Sequence, residues 1–65
     1  MQVFINQQPH ELPLGATLAD AVRALQPQAP YAAALNLQFV PRSAYAQQAL
    51  HDGDRVEIIA PVTGG

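Results

Sequence analysis

From Arg55 to Ala60 the chain alternates, with Val56, Ile58 and Ala60 facing one way and Glu57 and Ile59 the other. A period of two is the mark of a strand with one face turned to a core. Whatever this chain folds into must therefore contain a sheet that something else covers. The candidate cover lies upstream. Leu18, Val22 and Leu25 recur at helical spacing, with Ala21 beside them, and make one apolar stripe. Thr17 stands where that helix would begin. Its hydroxyl is placed to accept the orphan amide of Asp20, whose carboxylate suits the positive end of the helix dipole. Pro27 and Pro30 close the helix, because a proline disfavours helical geometry in the residue before it.

The remaining segments read as short strands and turns. Val3-Phe4-Ile5 is a strand with Met1, Val3 and Ile5 on one face and Gln2 and Asn6 on the other. Asn6-Gln7-Gln8-Pro9 is turn chemistry, and His10 to Leu14 returns as a second strand, with Pro13 confined to a sheet edge or strand end. A third strand is expected at 32–36, a turn near Leu37-Gln38, and a short strand at Phe39-Val40 ended by Pro41. Alanine propensity leaves a continued helix open for the first of these. Ser43 to Leu50 suits a helical turn or two, and His51-Asp52-Gly53-Asp54 is a strong turn signal. The order is strand, strand, helix, strand, strand, short helical turn, strand. One helix laid on one face of a mixed sheet of about five strands satisfies it. This is the α+β, ubiquitin-like β-grasp, in which the first and last strands lie parallel and adjacent. The expectation is one domain over residues 1–65, with a flexible tail at 61–65.

The inventory for catalysis is poor. With no cysteine there is no disulfide, no thiol nucleophile and no cysteine metal site. Lysine is also missing, Ser43 is the only serine, and Thr17 and Thr63 are the only threonines. His10 and His51 lack the helical pairing of a zinc site, and Asp52 with Asp54 is too few oxygens for a calcium loop. The expectation is no catalytic residue and no metal. A net charge of −2 with three arginines gives no basic footprint for nucleic acid. No apolar run approaches the roughly 20 residues that cross a membrane, and the opening Met1-Gln2-Val3-Phe4 is unlike a signal peptide. A cytoplasmic protein is expected.

The informative segment is Pro61-Val62-Thr63-Gly64-Gly65. Pro61 cannot donate to a ladder, so pairing is expected to end there. Gly64 and Gly65 carry no side chain, so this tip can enter a channel too narrow for other residues. A carboxylate brought in line with the α-phosphate of ATP needs such an arm. On the folded body, Phe4 and Ile59 fall on the outward face of strands expected to be adjacent. They are candidates for a partner-binding apolar patch that Phe39 extends and to which Val62 of the tail is added.

Gly15-Ala16-Thr17-Leu18, Asn36-Leu37-Gln38-Phe39-Val40-Pro41-Arg42, Leu50 through Ile58 and the terminal Gly64-Gly65 together resemble the thiamine-pathway sulfur carrier family (ThiS-like) over nearly the whole chain. The Asn36 to Arg42 segment separates it from the related small subunit of molybdopterin synthase (MoaD-like), which shares the fold and the Gly-Gly tail. The resemblance implies a protein co-substrate. A ThiF-like adenylating enzyme, using ATP and magnesium that this chain does not itself bind, activates the Gly65 carboxylate. Sulfur originating from a cysteine desulfurase converts it to a thiocarboxylate, and a thiazole synthase (ThiG-like) takes the sulfur. The alternatives are the MoaD-like subunit and a ubiquitin-like binding module whose tail is never activated.

Overall fold

The computed structural model describes residues 1–27 and 30–59. A hairpin of β1 (Gln2–Ile5) and β2 (Gln8–Glu11) leads into α1 (Leu18–Leu25). A second hairpin of β3 (Ala32–Leu35) and β4 (Gln38–Val40) follows, then a 3₁₀ segment at Arg42–Gln47 and finally β5 (Arg55–Ile59). The strands lie in the order β2-β1-β5-β3-β4, with β5 parallel to β1 and antiparallel to β3. The expected mixed sheet of five strands under one helix, with the first and last strands adjacent, is the one observed.

Both hairpins turn on two residues at positive φ: Asn6 and Gln7 at 50° and 70°, Asn36 and Leu37 at 49° and 71°. Two such residues give the turn whose twist matches that of the flanking strands, and asparagine tolerates the left-handed region better than most side chains. The first turn is therefore shorter than its composition indicates. The second strand starts at Gln8 and ends at Glu11, not His10 to Leu14. Pro9 lies inside it, opposite Phe4, on the outer strand of the sheet. Since Ile5 and Gln8 close the turn, the nitrogen of residue 9 faces away from β1, and proline there costs the ladder no bond. The second turn falls on Asn36-Leu37, one residue before the expected place. The alanines at 32–34 are strand, not continued helix.

The start of α1 is fastened as Thr17 and Asp20 suggest. The Asp20 carboxylate accepts the Thr17 backbone N–H at 2.8 Å and the Thr17 hydroxyl at 3.3 Å. The backbone bond from Thr17 is the main reason that the Asp20 carboxyl is held below the ordinary aspartate value of 3.8. It prevails over an opposing cost of burial, with further help from the Thr17 hydroxyl and the Arg23 guanidinium. A carboxyl lowered by folding stabilises above its unfolded pKa and loses that contribution as pH falls through the folded one. Thermal unfolding followed by circular dichroism should therefore show the wild type losing more stability between pH 5 and pH 3 than Asp20→Asn does. Equal losses would mean that the cap does not titrate with folding.

Under the helix, Val3 and Ile5 of β1, Ala33 of β3, Val40 of β4 and Val56 and Ile58 of β5 meet Leu18, Ala21 and Val22, with Tyr45 and Leu50 closing the side. The helical stripe is thus shifted from the one expected. Leu18, Ala21 and Val22 are buried, while Leu25 is only half-buried at the rim. The helix ends one residue later, at Gln26 in the left-handed conformation, and Leu25 has no following turn to cover it.

Candidate functional site

The last strand is held on both flanks. On the β3 side, Ala32 to Leu35 pair with Ile59 to Val56. On the other side β1 reaches only to Ile5, opposite Val56. Asn6 continues the ladder beyond it. Its backbone N–H donates to the Val56 carbonyl at 2.9 Å, its side-chain Oδ1 accepts the Ile58 N–H at 2.8 Å, and its Nδ2 donates to the Ile58 carbonyl at 3.2 Å. The side-chain amide stands in for a missing peptide group and satisfies both polar groups of Ile58. Asn36 does the same at the start of β5. Its N–H donates to the Arg55 carbonyl at 2.8 Å, its Oδ1 accepts the Arg55 N–H at 2.9 Å, and its Nδ2 donates to Asp54 at 3.1 Å. Sequence reasoning missed both roles. The signal available was an asparagine directly after each of two apolar runs.

Ile59, where the description of this strand stops, is therefore fixed in register with Ala32. The expected site residues Val62, Thr63, Gly64 and Gly65 lie outside the described residues.

The aspartates of the turn before β5 make that turn. Asp52 accepts the Gln2 N–H at 2.7 Å and Asp54 accepts the His51 N–H at 2.7 Å. Gly53, at φ 87°, donates its N–H to the Gln2 carbonyl at 2.7 Å. The exposed imidazole of His51 stands 3.8 Å from the Asp54 carboxylate, and His10 lies half-buried on β2 opposite Val3. Among the described residues no three of these side chains gather as metal ligands.

On the outward face the register corrects the expected patch. Phe4 pairs with Arg55 at the beginning of β5, whereas Ile59 is at its end, four residues on. That spacing is about 13 Å along the strand. Phe4 is half-buried and borders a shallow hollow of about 250 Å³ with Gln7, Arg55 and Glu57. Ile59 is 60% exposed and Phe39 70%. Phe39 lies opposite Ala34 and Ile59 opposite Ala32, so two small residues on β3 join those two large ones. Phe39 and Ile59 are the exposed large apolar side chains of the strands, two strands and two residues apart, and Phe4 stands opposite the other end of β5. The strands are adjacent as expected; the failure was of register, which two short runs of sequence do not specify.

The sequence matches the model of the ThiS family over residues 3–65. The chain belongs to the ThiS family. It is 36% identical to the sulfur carrier protein ThiS of Escherichia coli K12 over 66 aligned positions that cover the whole of both chains. Membership bears out the reading of a carrier and not a catalyst, and the match is to the family that the Asn36 to Arg42 segment singles out. A thiazole synthase of Paramagnetospirillum magneticum contains 30 aligned residues that are 57% identical, 46% of this chain and 9% of that protein. The crystal structure of the thiamine biosynthesis protein ThiS from Geobacter metallireducens superposes with a TM-score of 0.80 over the whole of both chains. At 23% identity it shows the shared fold. Among the described residues no helix is long and apolar enough to cross a membrane.

Proposed function

We propose that this chain carries sulfur for thiazole formation in thiamine biosynthesis, with the Gly65 carboxylate as the loaded group. What supports the reading is the full-length likeness to a sulfur carrier protein of the ThiS family. A carboxylate is a poor electrophile. Attack of its oxygen on the α-phosphorus of ATP, in a ThiF-like adenylating enzyme that supplies the magnesium, releases pyrophosphate and leaves an acyl-adenylate. The terminal sulfur of a persulfide, charged by a cysteine desulfurase, attacks the acyl carbon and AMP departs. A second thiol then cleaves the sulfur–sulfur bond, freeing a thiocarboxylate on Gly65 and leaving a disulfide. The chain contributes no acid, base or metal to these steps; it contributes position. Its lack of lysine and cysteine means that the activated acyl group meets no amine or thiol side chain of its own chain.

Thiazole synthase is the proposed acceptor, and a carrier-like stretch inside a protein of that name supports the pairing. The cytoplasm, where ATP is abundant, is the proposed location. Val62, Thr63 and Gly64 are the proposed arm, and Ile59 with Phe39 the proposed docking surface. Phe4 is proposed as a separate contact beside the hollow. The test of the reading is intact-mass spectrometry after incubation with the adenylating enzyme, ATP and a persulfide donor. The chain should gain the mass difference between sulfur and oxygen, and an unchanged mass would leave a binding module.

The docking surface has its own test. Ile59→Asp places a charge on an exposed position, so the melting temperature should stay near that of the wild type. Affinity for the adenylating enzyme should fall by about ten-fold or more, as for a central apolar contact. A variant that melts early would show Ile59 to be a core residue, and one that binds normally would remove it from the interface.

A further inference from the structure

Six residues follow Ile59, and fully extended they span at most about 20–22 Å. An enzyme that works on Gly65 must therefore lie against the end of the domain where Ile59 sits, and near that end a cation lies over an aromatic ring. Ala33 pairs with Val40 and Ala32 with Ile59, so β4 ends two strand spacings, about 10 Å across the sheet, from β5 near Ile59, and Pro41 and Arg42 follow directly. The Arg42 guanidinium lies 5.2 Å over the ring of Tyr31. That ring stacks in turn on the buried Tyr45, with centroids 6.3 Å apart and 20° between planes. Pro41, at φ −68°, fixes the backbone entering the 3₁₀ segment that Arg42 begins. The stack gives this exposed side chain a favoured position over Tyr31.

The stack leaves the charge unanswered. Arg23 is paired with Asp20 at 3.1 Å, whereas among the described residues no carboxylate comes within 4.0 Å of Arg42. Arg55 stands at the far end of β5, beside Glu57 on the outward face. Of the three arginines, only Arg23 has a carboxylate within 4.0 Å among the described residues, and of the other two it is Arg42 that follows the strand end level with Ile59. A planar guanidinium with its edge free is built to take a carboxylate through two parallel hydrogen bonds.

We propose that Arg42 engages a carboxylate on the adenylating enzyme, and that this contact holds the body of the carrier on that enzyme while the tail reaches the active site. The inference rests on the carrier reading above. It makes Arg42 a docking residue: it touches neither ATP nor Gly65, and it acts through how tightly the body is held. Arginine aligned on a stacked tyrosine, and not merely a positive charge, is what the site supplies.

The test is ATP–pyrophosphate exchange with the adenylating enzyme of the same organism, comparing wild type, Arg42→Gln and Arg42→Lys across a range of salt concentrations, with melting temperatures in parallel. Arg42→Gln should raise the KM for the carrier by about ten-fold or more with kcat little changed, and should flatten the salt dependence of KM. Arg42→Lys should recover part of the loss and keep the salt dependence. The inference is overturned if Arg42→Gln has a wild-type KM. It is overturned equally if lysine behaves as glutamine does while both variants melt early, because Arg42 would then serve only to hold Tyr31. Absence of exchange by the wild type would overturn the carrier reading and this inference with it.

Discussion

Removing Gly65 is expected to abolish ATP–pyrophosphate exchange while leaving both the fold and binding to the adenylating enzyme intact. The truncated chain still ends in a glycine carboxylate, now on Gly64, with the same charge and nucleophilicity. What changes is reach, by one residue or about 3.3–3.6 Å. In-line attack on phosphorus tolerates far less, since a misplacement of about 1 Å can cost about 100-fold. A chain extended beyond Gly65 should fail as well, because its new carboxylate overshoots and the Gly65 carbonyl is locked in a peptide bond. Binding by calorimetry and exchange by pyrophosphate labelling separate the two effects. Full-length, truncated and extended chains exchanging equally would place adenylation elsewhere on the molecule. Loss of binding together with exchange would mean that the tip is an anchor and not only a reactant.

Leu18→Ala should be the most damaging single substitution in the helix, costing about 2–5 kcal/mol. Leu18 is fully buried, and its backbone N–H is tied to the Gln48 carbonyl at 2.8 Å, so the surroundings cannot easily collapse into the space. A domain of this size has little reserve: about 60 residues bury only about 60% of the unfolded surface, and total stabilities run from about 5 kcal/mol upward. Urea unfolding should place Leu18→Ala near or beyond the limit of stability, with Leu25→Ala milder because Leu25 is half in solvent. If the two variants unfold at the same urea concentration, the helix does not sit on the sheet as the burial pattern indicates.

The sequence carried most of the architecture because its strongest signals were periodic. Val56 and Ile58 against Glu57 and Ile59 give one answer only, and the structure places the first pair inside and the second outside. The same holds for the helix start, where Thr17 and Asp20 meet at the expected spacing. Errors gathered where the governing interaction was not local. Pro9 reads as a turn residue until its partner is known to be Phe4 on an outer strand. Asn6-Gln7 and Asn36-Leu37 lack the glycine that usually marks a two-residue hairpin loop, so their boundaries slipped. Alternation gives the face of Phe4 and Ile59 but not their level, Phe4 standing on β1 opposite the start of β5 and Ile59 at the end of β5, because face follows from alternation and register from pairing. The family resemblance was legible in Asn36 to Arg42. The physical work of that segment, a hairpin whose first residue clamps β5 and whose last lies over Tyr31, was not.

Placing β5 between β1 and β3 decides which parts of the domain can open without consequence. The outermost strands, β2 and β4, each have one paired flank, and strands so placed fray first in small domains. Either can peel away transiently while Ile58 remains gripped by Asn6 and Ile59 by Ala32. Fraying at either margin leaves the grip of Ala32 on Ile59 in place, whereas fraying of β4 carries Phe39 with it, so the base of the tail is steadier than the proposed docking face.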